Sequence, residues 1–224
     1  MATGPAALPD DPTLDELRLA LAPAVADAAV FDGWSEAAVR AAAAAEGADP
    51  DVAALAYPGG PIDMIAAWIE SVDLAMIAAL PAERLAQMKI RERIAGLVLA
   101  RLDAMRGREE ALRRALSVMA MPQNAARALQ LGWRTADVMW RCAGDTATDY
   151  NHYTKRTMLG AIYGATLTVF VDDESEDKSE TRAFLDRRID GIMRFEKAKA
   201  QLLGGGRDSF NIARFLGRLR YPAR

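Results

Sequence analysis

The sequence contains one cysteine, Cys142, and one histidine, His152. A single thiol excludes a disulfide within the chain and gives no sign of an oxidising compartment. A single histidine excludes a two-histidine zinc helix and a paired Glu-x-x-His di-iron site within one chain. Long apolar runs are missing too. The longest stretch without Asp, Glu, Lys or Arg is Thr157–Val171, 15 residues, against the roughly 20 that a spanning helix needs. No run of alternating β-branched and aromatic residues lies between turn signals, so no strand is expected. Cations are scarce at the front. Residues 1–83 hold two, Arg18 and Arg40, against 14 acids, and none lies between Ala41 and Glu83. Residues 84–224 hold 26 basic and 17 acidic residues. The net charge of −3 therefore hides an acidic front and a basic rear. Met1–Asp15 has no Lys or Arg, which fits neither a secretion signal nor an Arg-rich presequence. The expectation is a bacterial cytoplasmic protein with a frayed start, or the matrix side of a mitochondrion if the chain is a mature eukaryotic form.

What is present is an ordinary globular balance over 224 residues, 51% hydrophobic and 26% charged, enough for a full core. The period is helical throughout. Thr13 and Glu16 form a capping box ahead of Leu14, Leu17, Leu21 and Val25, and Pro23 is expected to kink or divide that helix. Ser35 caps a second helix, and Pro50 opens a short third one. Helix four spans about Ile62–Ala79. Pro81 opens a fifth, carrying Leu85, Met88, Ile94, Leu97 and Val98 to a break at Gly107. Arg108–Met119 continues, and Met121-Pro122 breaks again. A helix from about Asn124 stops at Gly144-Asp145. Thr148 caps a long helix to Val171, a charged loop follows, and Glu180–Leu203 is the next helix. Gly204-Gly205-Gly206 is a hinge before a last amphipathic helix. The expected organisation is a tail (1–12), a degenerate helix-turn-helix (13–61), a lipid-binding and dimerisation domain (62–203), and the hinge with its helix (204–224).

Three short helices followed by longer ones resemble the TetR family, an all-α bundle in which the front reads DNA and the rear encloses a ligand. Reading DNA requires cations for phosphates and polar side chains on the second helix of the turn. Here that helix is Pro50–Tyr57, with one acid and no cation. No nucleic-acid partner is expected, and a ligand-responsive TetR-type regulator is the alternative this gap speaks against.

The segment Trp133–Arg194 is more specific. It contains Ala143-Gly144-Asp145, then Thr148-Asp149-Tyr150-Asn151-His152-Tyr153-Thr154-Lys155-Arg156, and later Phe184-Leu185-Asp186-Arg187-Arg188-Ile189. These blocks resemble the ubiquinone (coenzyme Q) biosynthesis accessory family, the ninth of the Coq proteins, closely over about 85–195. The resemblance implies a TetR-like fold that is no repressor. It implies binding of an isoprenoid quinone or phospholipid, contact with the di-iron demethoxyubiquinone hydroxylase, and peripheral membrane contact through a C-terminal amphipathic helix. His152 stands where a tryptophan is expected in mitochondrial relatives, so the partner-facing patch here is less apolar.

The residues themselves offer candidates for each role. Ile65, Trp68, Ile69, Met76, Leu85, Met88, Ile94, Leu97, Leu159, Ile162, Tyr163, Leu167 and Phe170 are the expected lipid walls, for which ordinary core packing is the competing reading. Asp145 and Thr148 read as helix caps. Met139, Trp140, Asp149, His152, Tyr153, Lys155 and Arg156 are the expected partner patch, since aromatics with arginine on one exposed face make interface anchors. In the last helix Ile212, Phe215, Leu216 and Leu219 share one face, with Arg214 and Arg218 opposite, as an interfacial membrane element requires. No cofactor, no metal and no catalytic role are expected. A homodimer through 148–171 and 180–203 is. A pure scaffold with a dry core is the second alternative.

Overall fold

The computed structural model describes residues 11–146 and 150–204, with side chains to Gly191 apart from Tyr150 and Asn151. The described residues form helices and turns with no strand. The order is α1 (Leu14–Asp32), α2 (Glu36–Glu46), α3 (Pro50–Leu55), α4 (Pro61–Ala79), α5 (Ala82–Ala86), α6 (Ile90–Ala104), α7 (Glu109–Met119), a 3₁₀ turn (Pro122–Asn124), α8 (Ala125–Cys142), α9 (Tyr150–Asp172), a second 3₁₀ turn (Glu176–Lys178) and α10 (Ser179–Gly204). Residues up to Leu185 make one compact unit, and Asp186 onward a second. No described helix is long and apolar enough to cross a membrane.

The front helices start where their caps dictate. Thr13 accepts from the Glu16 amide while the Glu16 carboxylate accepts from the Thr13 amide, so two orphan donors are satisfied reciprocally. Ser35 caps α2, and Asp49 caps α3 ahead of Pro50. Two helix boundaries differ from those expected. Pro23 sits inside an unbroken α1, because the one bond it forfeits is outweighed by a face of Leu17, Leu21, Ala22, Val25 and Ala26 buried against α2 and α4. The single helix expected after Pro81 is two. α5 ends at Ala86, and Lys89 restarts the chain as α6, its amide donating to Glu92 at 3.0 Å.

α4 is the centre of the first unit, packing on α1, α6, α7 and α8. Trp68 of α4 is buried against Trp34, whose ring centroid lies 5.4 Å away and whose indole N–H donates to the Ala111 carbonyl of α7 at 3.0 Å. α8 packs on α9, and both pack on α6. Gly144, at φ +88°, turns the chain out of α8. Arg93 of α6 grips that turn by donating to the Ala143 carbonyl at 2.8 Å.

Candidate functional site

The polar block of the sequence builds an ion-pair frame between α8 and α9. Arg156 is 2% exposed. Its Nε donates to Asp137 at 2.5 Å, and Nη1 donates to Asp145 and to the His152 carbonyl, each at 3.1 Å. Lys155 donates to Asp145 at 2.6 Å and lies 5.3 Å from the Trp140 ring, whose indole N–H donates to the Lys155 carbonyl. Arg141 closes the set on Asp137 at 2.8 Å. Burial pushes the Asp145 carboxyl upward, but hydrogen bonds from Lys155 and Arg156 outweigh it and hold the group below its ordinary value.

This corrects two expectations. Arg156 and Met139 are buried, not on an exposed face, because a guanidinium with two carboxylates to satisfy is drawn between the helices and Met139 fills the packing there. The Asp145 carboxylate is engaged by Lys155 and Arg156, and the helix end it was expected to cap lies outside the described residues. Of the remaining patch residues, Trp140, His152 and Lys155 are half-buried and Tyr153 is 61% exposed. Thr148 and Asp149 lie outside the described residues.

The frame presents an aromatic cluster. Tyr153 stands 5.2 Å from His152 and 5.9 Å from Trp133, and Trp133 is 6.2 Å from His152. Leu129, one turn before Trp133 on α8, is 77% exposed. Trp133 and Leu129 were missed as site residues, although their i, i+4 spacing already put them on one face of α8. Cys142 is half-buried, and burial pushes its thiol up, away from the reactive thiolate.

The expected lipid walls gather around the α4, α6 and α9 core. Ile65, Trp68 and Met76 of α4, Leu85 of α5, Ile94 and Leu97 of α6, and Leu159, Tyr163, Leu167 and Phe170 of α9 are buried. Ile69, Met88 and Ile162 are half-buried. A polar group sits among them that sequence reasoning missed. Arg101 of α6, 1% exposed, pairs with the buried Asp73 of α4, donates from Nε to the Tyr163 hydroxyl at 3.1 Å, and lies 5.1 Å over that ring. Asp73 Oδ2 has no hydrogen-bond partner. Elsewhere, a cleft of about 580 Å³ is lined by residues of α1, α4 and α8, among them Arg18, Asp63, Glu70, Trp133 and Arg134. Its walls carry charges of both signs and are not the expected lipid set. The membrane candidates Ile212, Arg214, Phe215, Leu216, Arg218 and Leu219 lie outside the described residues.

The α8–α9 frame coincides with a known signature. Residues 125–196 match the COQ9 family. The ubiquinone biosynthesis protein COQ9 of Rattus norvegicus is 41% identical over 93 residues, 42% of this chain and 30% of that protein. Its Homo sapiens counterpart is 40% identical over 93 residues, 42% of this chain and 29% of that protein. Both are named mitochondrial. The chain thus spans about 30% of the length of these relatives. A Schizosaccharomyces pombe COQ9 is 24% identical over 164 residues, 73% of this chain and 65% of that protein. Among solved structures, a TetR transcriptional regulator from Nitrosomonas europaea superposes with a TM-score of 0.62 at 24% identity, covering 78% of this chain and 97% of its own. That likeness is one of fold: the chain is an all-α, TetR-like bundle. The COQ9 match covers α8, α9 and much of α10, so the aromatic cluster and the Arg156 frame lie within it, while α3 and the Asp73–Arg101 pair lie before it.

Proposed function

We propose that the chain is a non-enzymatic, lipid-binding accessory protein of ubiquinone biosynthesis. It binds isoprenoid quinone intermediates and assists the di-iron demethoxyubiquinone hydroxylase at the membrane surface. One observation carries this. The segment matched to COQ9, residues 125–196, is the one that builds the outward aromatic cluster of Trp133, His152 and Tyr153 on a frame of buried ion pairs. Rigid exposed aromatics are the usual anchors of a protein contact. The hydroxylase docks there. The apolar residues of α4, α6 and α9 accommodate the isoprenoid tail, and the basic segment from Ile212 to Leu219 contacts the membrane. Two copies pair through 148–171 and 180–203. Chemistry belongs to the hydroxylase. Nucleic acid has no part in it. α3 turns Asp51, Val52 and Leu55 outward, and Arg40 is engaged by Glu36 and Asp51, so that face offers a duplex acids and methyl groups.

The test is the quinone profile of the source organism with the gene deleted and then restored. Loss of ubiquinone with build-up of its demethoxy precursor is the expected result. An unchanged profile removes the chain from the pathway.

A further inference from the structure

Asp73, Arg101 and Tyr163 come from three helices and meet in the core, with 28 and 62 residues of chain between the partners of each pair. Each is in helical register with an expected lipid wall. Asp73 is one turn from Ile69 and three residues from Met76, Arg101 is one turn from Leu97, and Tyr163 is one turn from both Leu159 and Leu167. A buried guanidinium–carboxylate pair is costly to desolvate and is retained in cores chiefly where its remaining hydrogen-bonding capacity is satisfied. Here that capacity is unmet at one atom, Asp73 Oδ2. A carboxylate oxygen paired with a guanidinium is a hydrogen-bond acceptor.

We infer that Asp73, oriented by Arg101 and Tyr163, accepts a hydrogen bond from the ring hydroxyl of a bound ligand, so the chain binds a hydroquinone in preference to the corresponding quinone. This rests on the carrier reading above. The chemistry decides the oxidation state. A hydroquinone ring offers two O–H donors, whereas a quinone ring offers only carbonyl acceptors and would set oxygen lone pairs against Asp73 Oδ2. The apolar neighbours on α4, α6 and α9 favour a neutral donor on a long tail over a charged amine. The carrier therefore takes the reduced ring with its polar end at the middle of α4 and its tail along the apolar walls. Because Asp73 and Arg101 are buried, entry requires α4 to part from α6, on which it packs.

The experiment uses the full purified chain, a 1,4-benzoquinone bearing a ten-carbon tail, and the hydroquinone prepared from it and kept under argon. Affinities are read by anaerobic equilibrium dialysis. The wild type is expected to bind the hydroquinone about tenfold more tightly, the factor one hydrogen bond to a charged acceptor supplies. Asp73→Asn leaves one neutral carbonyl acceptor and adds an N–H donor, so it serves both ring forms and brings the ratio to about one. Should that variant not fold, the double variant Asp73→Asn, Arg101→Gln removes both charges and is read the same way. Equal binding of the two forms by the wild type overturns the inference and leaves the carrier reading standing. A ratio unchanged in the variant removes the role of Asp73. Binding of neither form overturns the carrier reading, and the inference with it.

Discussion

Replacing Arg156 by methionine tests whether this arginine is a contact residue or a strut. It is 2% exposed and makes three directed bonds, to Asp137, Asp145 and the His152 carbonyl. Removing one partner of a buried pair costs about 3–5 kcal/mol, because charges are left without compensation. Here each abandoned carboxylate keeps a cation, Lys155 on Asp145 and Arg141 on Asp137. Methionine also fills most of the volume. Both features place the loss at the low end, about 3 kcal/mol. For a chain of this size that is roughly 6–12 °C in Tm, read by circular dichroism at neutral pH. The pH dependence has a fixed sign. Asp145 is held below its ordinary value of 3.8 in the folded chain. Its contribution is therefore present above that value and is lost as pH falls through the depressed one. The gap between wild type and variant narrows in acid. A Tm change under about 3 °C at neutral pH, or a gap that widens in acid, refutes the reasoning and returns Arg156 to the surface patch.

Other outcomes follow from the same geometry. The proposed hydroxylase contact predicts that Tyr153→Ala and Trp133→Ala each weaken binding by about 2 kcal/mol, some 30-fold, while Tm stays put; a pull-down with unchanged affinity moves the docking face elsewhere. Asp173 is buried and accepts from the amides and hydroxyls of Ser175 and Thr181, and although burial raises its pKa, those bonds hold it well below the usual carboxylate range. Asp173→Ala therefore costs about 2–4 kcal/mol at pH 7 in denaturant titration, a penalty that shrinks as pH falls below the ordinary Asp range. Reversing Arg214 and Arg218 to glutamate lowers binding to anionic vesicles in sedimentation, and equal binding removes the tail from the membrane.

The helical period and the lack of alternating runs were enough, without coordinates, to set the all-α class, and the block from Ala143 to Arg156 to set the family resemblance. Caps were equally legible. Thr13 with Glu16, and Ser35, act within three residues of themselves, so their physics is complete in a short window of chain. The C-terminal break at Gly144 is of the same kind. Only the tertiary structure decided what is buried. Arg156 reads as a surface arginine until Asp137, 19 residues away, is seen to draw it between α8 and α9. Arg101 meets Asp73 and Tyr163 only in the fold, from 28 and 62 residues away. Trp133 joins the site through His152 and Tyr153 on another helix. Local signals fix helices because hydrogen bonds at helix ends span three or four residues. Burial is a property of which helices meet, and that is settled by packing across the whole core.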